Sequence, residues 1–165
     1  MALLEARGVN VAYEPARGQR IWSVRDVDIS LEQGEFVGLV GESGCGKTTL
    51  GYALTQMLRP PARLEGGEIR FDGVDIGTLD GEELRRQRRN GFALVLQSGM
   101  NALNPVRTVE HHFGDTLRAH ARPGEDLSGD AIRHRAEELL ASVRLEPDVL
   151  GRFAHELSGG MRQRV

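Results

Sequence analysis

Lysine is almost absent from this chain of 165 residues: Lys47 is the only one, and every other strongly basic residue is an arginine. The composition uses Arg wherever a generic positive charge will serve. Its one Lys therefore stands where a compact ammonium on a flexible stem suits the chemistry and a guanidinium fork does not. Cysteine is equally scarce. Cys45 is alone, which excludes an internal disulfide framework and fits a reducing compartment. No apolar run approaches the length of a membrane span, and the start Met1 to Arg7 lacks the apolar core of a signal peptide. The expectation is a soluble cytoplasmic chain, or one held at a membrane through a partner. There is no excess of basic charge: the formal net charge is −3, so no nucleic-acid partner is expected. Internal repeats and low-complexity tracts are also missing. What remains is globular, with 39% hydrophobic and 27% charged residues. A chain of this length can form one domain that buries roughly 70% of its unfolded surface.

The solitary lysine lies in Gly41-Glu42-Ser43-Gly44-Cys45-Gly46-Lys47-Thr48-Thr49, which fits the phosphate-loop pattern G-x-x-x-x-G-K-[ST] at every fixed position. Before it, Phe36 to Val40 is a short apolar run that predicts a buried parallel strand. After it, Leu50, Ala53, Leu54, Met57 and Leu58 fall at helical spacing, and Pro60-Pro61 end the helix. Gly41, Gly44 and Gly46 let backbone amides approach a phosphate closely. A helix starting near Lys47 aims unpaired N–H groups and the positive end of its dipole at that anion. Lys47 can reach the outer phosphates, and the Thr48 hydroxyl can join a magnesium shell. The competing reading is a glycine-rich turn that matches by chance, and the strand and helix on either side argue against it.

Elsewhere the pattern predicts strands at residues 3–13, around Val27, Ile29 and Leu31, and from Glu68 to Asp72 with Gly66-Gly67 just before it. Together these suggest a small antiparallel sheet beside the phosphate-loop core. Asp80 reads as an N-cap with Glu83 closing a capping box and Leu79 and Leu84 as a hydrophobic staple, opening a helix to about Arg89. Its arginines, Arg85, Arg86, Arg88 and Arg89, read as a solvated face and not as a nucleic-acid patch. Phe92 to Leu96 predicts a second buried strand, followed by a loop through Pro105. From Thr108 to Leu150 the period becomes helical, with one stripe at Val109, Phe113 and Leu117 and another at Ile132, Ala136, Leu139, Leu140 and Val143. Pro123-Gly124 separates the two. His111-His112 is not expected to bind metal, because adjacent helical residues point in different directions.

Near the end, Leu157-Ser158-Gly159-Gly160-Met161-Arg162-Gln163-Arg164 describes a second loop running into a helix N-terminus, with amides, a hydroxyl and a dipole to offer an anion. With this pair of motifs the sequence resembles the ATP-binding subunits of ABC transporters. Leu157 to Gln163 is similar to the family's signature motif and Gly41 to Thr49 to its Walker A loop. Gln97 stands at its Q-loop glutamine, and Tyr13 at the aromatic residue that stacks on adenine. Gln97 to Pro105 and Phe153 to Ser158 resemble the subfamily that imports dipeptides, oligopeptides and nickel. Ser98-Gly99 and Ala154 depart from its usual Asp-Pro and Pro, which bears on the transported solute and not on nucleotide binding.

The resemblance implies an α/β fold: a P-loop NTPase core of ABC type, with an antiparallel β-subdomain and an inserted helical subdomain. Residues 1–98 would form the β-subdomain and P-loop core, 99–157 the Q-loop and helical subdomain, and 158–165 the start of the signature helix. The family's Walker B strand, D-loop and switch histidine find no match before Val165. The expectation is therefore a partial domain lacking its C-terminal core strands, inactive in hydrolysis on its own and loosely folded. By the same resemblance the cofactors are ATP and Mg2+. Lys47 and Gln97 take catalytic roles, Thr48 and Gln97 hold the metal, and Tyr13, residues 41–49, Ser158, Gly159, Gly160 and Gln163 bind nucleotide. The implied partners are a second ATP-binding subunit in a homo- or heterodimer, two transmembrane permease subunits and, indirectly, an extracytoplasmic solute-binding protein. The implied location is the cytoplasmic face of the plasma membrane. Two alternatives remain open: a non-catalytic nucleotide-binding fragment, and an ATPase subunit for another solute such as nickel. DNA-repair and chromosome-structure ATPases share the signature but separate the two motifs by long coiled coils or zinc modules, and no such insertion stands between Thr49 and Leu157.

Overall fold

The structure, a computed structural model, describes residues 2–16, 18–95, 102–122 and 124–165. The chain divides into two compact units, Met1–Leu94 and Val95–Val165.

The first unit is built on strands β1 (Leu4–Tyr13) and β2 (Ile21–Leu31), helix α1 (Lys47–Leu54), strands β3 (Ala62–Phe71) and β4 (Val74–Asp75), and helix α2 (Gly81–Asn90). Its four strands form an antiparallel sheet in the order β2-β1-β3-β4. Val9, Val11 and Ile69 of the predicted alternation enter one core with Val24 and with Leu50 and Ala53 of α1, while Val27 and Ile29 pack against it partly buried. The ladder is bulged. Gly8 has φ 56°, its N–H donates to Asp28 Oδ1 at 2.6 Å, and Asn10 bridges to the Asp26 amide. Gly66-Gly67 falls inside β3 and not ahead of it, so the strand begins earlier than the glycines suggested. A Cβ on Gly67, at φ 96°, would lie 2.5 Å from the Gly8 carbonyl oxygen. Only glycine fits there, because the bulge of β1 presses on it.

Two sequence expectations are corrected by the structure. Residues 36–40 form no strand, and Phe36 is 99% exposed. Residues 92–95 form none either, and Val95 is 93% exposed; Leu96 lies outside the described residues. An apolar run becomes a parallel strand only when strands on its edges complete the hydrogen bonds and elements on its faces bury it. No described strand pairs with either segment. Phe92 does find a partner, its ring meeting Phe71 edge-to-face at 5.3 Å.

Helix α1 stops at Leu54, short of the expected Leu58, because Thr55 turns its hydroxyl onto the Gly51 carbonyl and Gln56 takes φ 52°. The Arg88 guanidinium of α2 donates to the Gln56 carbonyl at that end, where a cation is favoured. Of the arginines on α2, Arg85 and Arg86 pair with Glu82 at the surface, as a solvated face should. The capping box is present: Asp80 accepts from the amides of Glu82 and Glu83, and Glu83 accepts from the Asp80 amide.

The second unit holds α3 (Val109–Ala119), α4 (Gly129–Ser142), two 3-10 turns at Pro147–Gly151 and Ala154–Glu156, and α5 (Gly159–Arg164). Thr108 and Ser128 cap α3 and α4. The predicted stripes converge: Val109, Ala136, Leu140, Leu150 and Leu157 make the core, with Phe113 and Val143 packed against it. A short bridge between Thr108 and Phe153 ties the start of α3 to the segment before α5. The two histidines are committed separately. His111 Nδ1 lies 2.7 Å from Thr108 Oγ1, while His112 Nδ1 meets the Thr108 carbonyl and its Nε2 accepts from the Asn104 amide, each at 2.8 Å.

Candidate functional site

Helix α1 is the one α-helix among the described residues that begins without a capping side chain. Asp80, Thr108, Ser128 and Ser158 each lend a side-chain oxygen to the helix that follows. Gly46 has none to lend and sits at φ 99°, ψ 1°. The first bond of the α1 ladder runs from Leu50 N–H to the Gly46 carbonyl at 2.8 Å. The amides of Lys47, Thr48 and Thr49 thus precede the ladder and face outward with the positive end of the helix dipole. Glycine at position 46 is dictated by a close approach, since a Cβ there would stand 2.4 Å from the Ser23 carbonyl oxygen of β2.

Gly41 to Cys45 form the arch over this helix end, outside any helix or strand, with Glu42, Ser43 and Gly44 exposed. Lys47 reaches back across it. Its ammonium donates to the Gly41 carbonyl at 2.8 Å and the Glu42 carbonyl at 2.6 Å, and stands 3.5 Å from the exposed Cys45 Sγ. The positive charge therefore lies over the same arch as the outward amides. Thr48 is exposed on the first turn of α1, and Thr49 is buried, at 7% exposure. The Tyr13 hydroxyl, at the end of β1, comes within 3.1 Å of Thr49 Oγ1, and Ser23 Oγ donates to the same oxygen at 3.2 Å. The arrangement is a cradle for an oxyanion of several charges, with an aromatic residue anchored to its wall.

Tyr13 and residues 41–49 are thus gathered in the first unit. Gln97 lies outside the described residues. Ser158, Gly159, Gly160 and Gln163 belong to the second unit. There Ser158 caps α5, accepting from the Met161 amide at 3.2 Å, and Gly160 and Gln163 are exposed. Arg164 holds α5 to the end of α4 by donating to the carbonyls of Val143 and Arg144. Ser23 escaped the sequence reading altogether: a serine inside a strand carries no signal, and its place under Thr49 comes from the register of β2 on β1.

The match to known proteins is decisive at this point. Residues 24–165 fit the family model described as ABC transporter. The chain belongs to the ABC transporter family. A putative peptide import ATP-binding protein of Brucella ovis is 38% identical over 164 residues, covering 99% of this chain and 48% of that protein. The oligopeptide transport ATP-binding protein AppF of Bacillus subtilis is 36% identical, covering 99% and 49%. The peptidoglycan transport ATP-binding protein YejF of Agrobacterium fabrum is 39% identical, covering 99% and 30%. The chain therefore spans at most about half the length of these ABC transporter relatives. Among solved structures, the dimeric post-hydrolysis state of the ATP-binding cassette MJ0796 bound to ADP and Pi matches with a TM-score of 0.82 at 28% identity. That match covers 98% of this chain and 66% of the other. The fold is accordingly the α/β ABC-type P-loop fold with its antiparallel β-subdomain and helical subdomain.

Proposed function

We propose that this chain is the nucleotide-binding part of the ATP-binding and ATP-hydrolysing subunit of an ABC importer of di- and oligopeptides. The single observation that carries the nucleotide reading is the uncapped start of α1 behind Gly46, with the one lysine of the chain folded over it. The names of the relatives support peptide import. In this reading residues 41–49 wrap the phosphates, Lys47 exchanges two loop carbonyls for the outer phosphate oxygens, and Tyr13 supports the base. The hydroxyl of Thr48 is a hard oxygen donor exposed beside the loop, which suits magnesium; Thr48 and Gln97 would hold that ion. Magnesium, when bound, offsets phosphate charge and orients the terminal phosphoryl group for transfer. Residues 1–98 form the β-subdomain and P-loop core, and residues 99–157 the Q-loop and helical subdomain that receives a membrane partner. Residues 158–165 open the signature helix, with Ser158, Gly159, Gly160 and Gln163 facing the nucleotide of a second subunit, identical or homologous. The subunit sits at the cytoplasmic face of the plasma membrane, where it engages two permease subunits and, through them, an extracytoplasmic solute-binding protein.

Isothermal titration of MgATP into the wild type and Lys47→Ala tests the core of this reading. Loss of one charge-assisted contact removes about 1.5–3 kcal/mol, roughly a tenfold to hundredfold loss of affinity. Equal affinities would refute it.

A further inference from the structure

The buried hydroxyl of Thr49 has two neighbours from two different strands, Tyr13 of β1 at 3.1 Å and Ser23 of β2 at 3.2 Å. Each hydroxyl owns one proton and two acceptor sites. Ser23 donates its proton to Thr49. Either hydroxyl of the Tyr13–Thr49 pair can donate; a phenol is a better donor and a poorer acceptor than an aliphatic alcohol, which favours Tyr13 as the donor. Thr49 then accepts twice, and its own proton is directed away from both. Among the described residues no acceptor is recorded for that proton. Thr49 stands on the first turn of α1, directly after the outward amides and Lys47, where the acceptor of matching chemistry is an anionic oxygen.

We infer that Tyr13 and Ser23 are positioning residues for polyphosphate, acting through Thr49: their two hydroxyls hold the Thr49 oxygen so that its proton points to a phosphate oxygen. This rests on the nucleotide reading above and goes beyond it. It gives the Tyr13 hydroxyl a part in phosphate binding that is separate from any stacking of its ring on a base. It also gives Ser23 a functional role. The Thr49 oxygen that anchors the Tyr13 hydroxyl is thus shared between the aromatic side chain and the phosphate.

A probe without a base separates the two roles of Tyr13. Magnesium-saturated inorganic tripolyphosphate and MgATP are titrated into the wild type, Tyr13→Phe, Ser23→Ala, Thr49→Ser, Thr49→Val and Lys47→Ala, with urea unfolding of each variant as the check on folding. Tyr13→Phe keeps the ring and loses the hydroxyl. It is expected to weaken tripolyphosphate and ATP alike, by about threefold to tenfold, the size of one hydrogen bond. Ser23→Ala moves both in the same direction, Thr49→Val loses more than either, and Thr49→Ser, which keeps the hydroxyl and the fold, stays within about twofold of the wild type. Tyr13→Phe with unchanged tripolyphosphate affinity would overturn the inference, as would a wild type that binds MgATP and ignores tripolyphosphate. If Lys47→Ala weakens both ligands and Tyr13→Phe neither, the relay fails and the nucleotide site stands. If Lys47→Ala weakens neither, the nucleotide reading itself fails, and the relay with it.

Discussion

Replacing Gly46 by alanine puts a methyl group where the phosphate loop meets β2. Three separate costs follow from the geometry. The residue sits at φ 99°, a left-handed conformation that costs an L-residue about 1–2 kcal/mol. The new Cβ would stand 2.4 Å from the Ser23 carbonyl oxygen, where an ordinary carbon–oxygen contact is about 3.3 Å, so loop and strand must separate by roughly 1 Å. Thr49 lies on the turn that would move, and a retreat of that size breaks its contacts to Tyr13 and Ser23, about 0.5–1.5 kcal/mol each. The expected loss is about 2–5 kcal/mol. Gly44→Ala is the internal control. It has a similar φ of 83° but nothing within 4 Å of its added Cβ, so it should lose only the conformational part, about 1–2 kcal/mol. Urea unfolding followed by the fluorescence of Trp22, the only tryptophan and the immediate neighbour of Ser23, reads the difference. Equal destabilisation by the two substitutions would show that the close approach of the loop to β2 contributes nothing.

Three further outcomes are expected. Leu140→Ala removes a fully buried side chain from the core of the second unit and should cost about 2–5 kcal/mol; a urea midpoint close to that of the wild type, followed by helical circular dichroism, would contradict that core. The Glu82 carboxyl is lowered to about 2, first by its hydrogen bond to Arg85 and then by the charges of Arg85 and Arg86. A depressed carboxylate favours the folded state above its unfolded value and loses that contribution as the pH falls through the folded one. Helix α2 should therefore begin to loosen below about pH 4.3 and have lost this support near pH 2; a carbon-13 titration of Glu82 with an ordinary glutamate midpoint would refute it. His112 accepts the Asn104 amide, so His112→Phe should speed hydrogen exchange at Asn104 about fivefold to tenfold, the value of one hydrogen bond. His112→Gln, which offers an acceptor again, should restore much of the protection, and unchanged exchange in the Phe variant would dismiss the contact.

Features whose causes lie within a few residues of each other were legible in the sequence. The capping box at Asp80 and Glu83 is local, and so is the glycine loop entering α1, because the amides, the dipole and the lysine all belong to one short stretch. The helical stripes that begin at Val109 and Ile132 follow from a period of about 3.6, and through Val109, Ala136 and Leu140 they meet in one core. Features that depend on distant chain were settled by tertiary structure. Residues 36–40 and 92–95 have the composition of buried strands, but composition supplies no edge partner, and among the described residues neither segment has one. Gly66-Gly67 looked like a break before a strand, yet it lies within β3, because the bulge at Gly8 on the neighbouring strand makes room only for glycine. Ser23 carried no signal of its own; the register of β2 against β1 carries its hydroxyl under Thr49. The sequence by itself determined the glycine loop, the capping box at Asp80 and the family. Tertiary structure decided what stands beside that loop, because hydrogen bonds between strands and helices far apart in the chain form only when the whole unit packs.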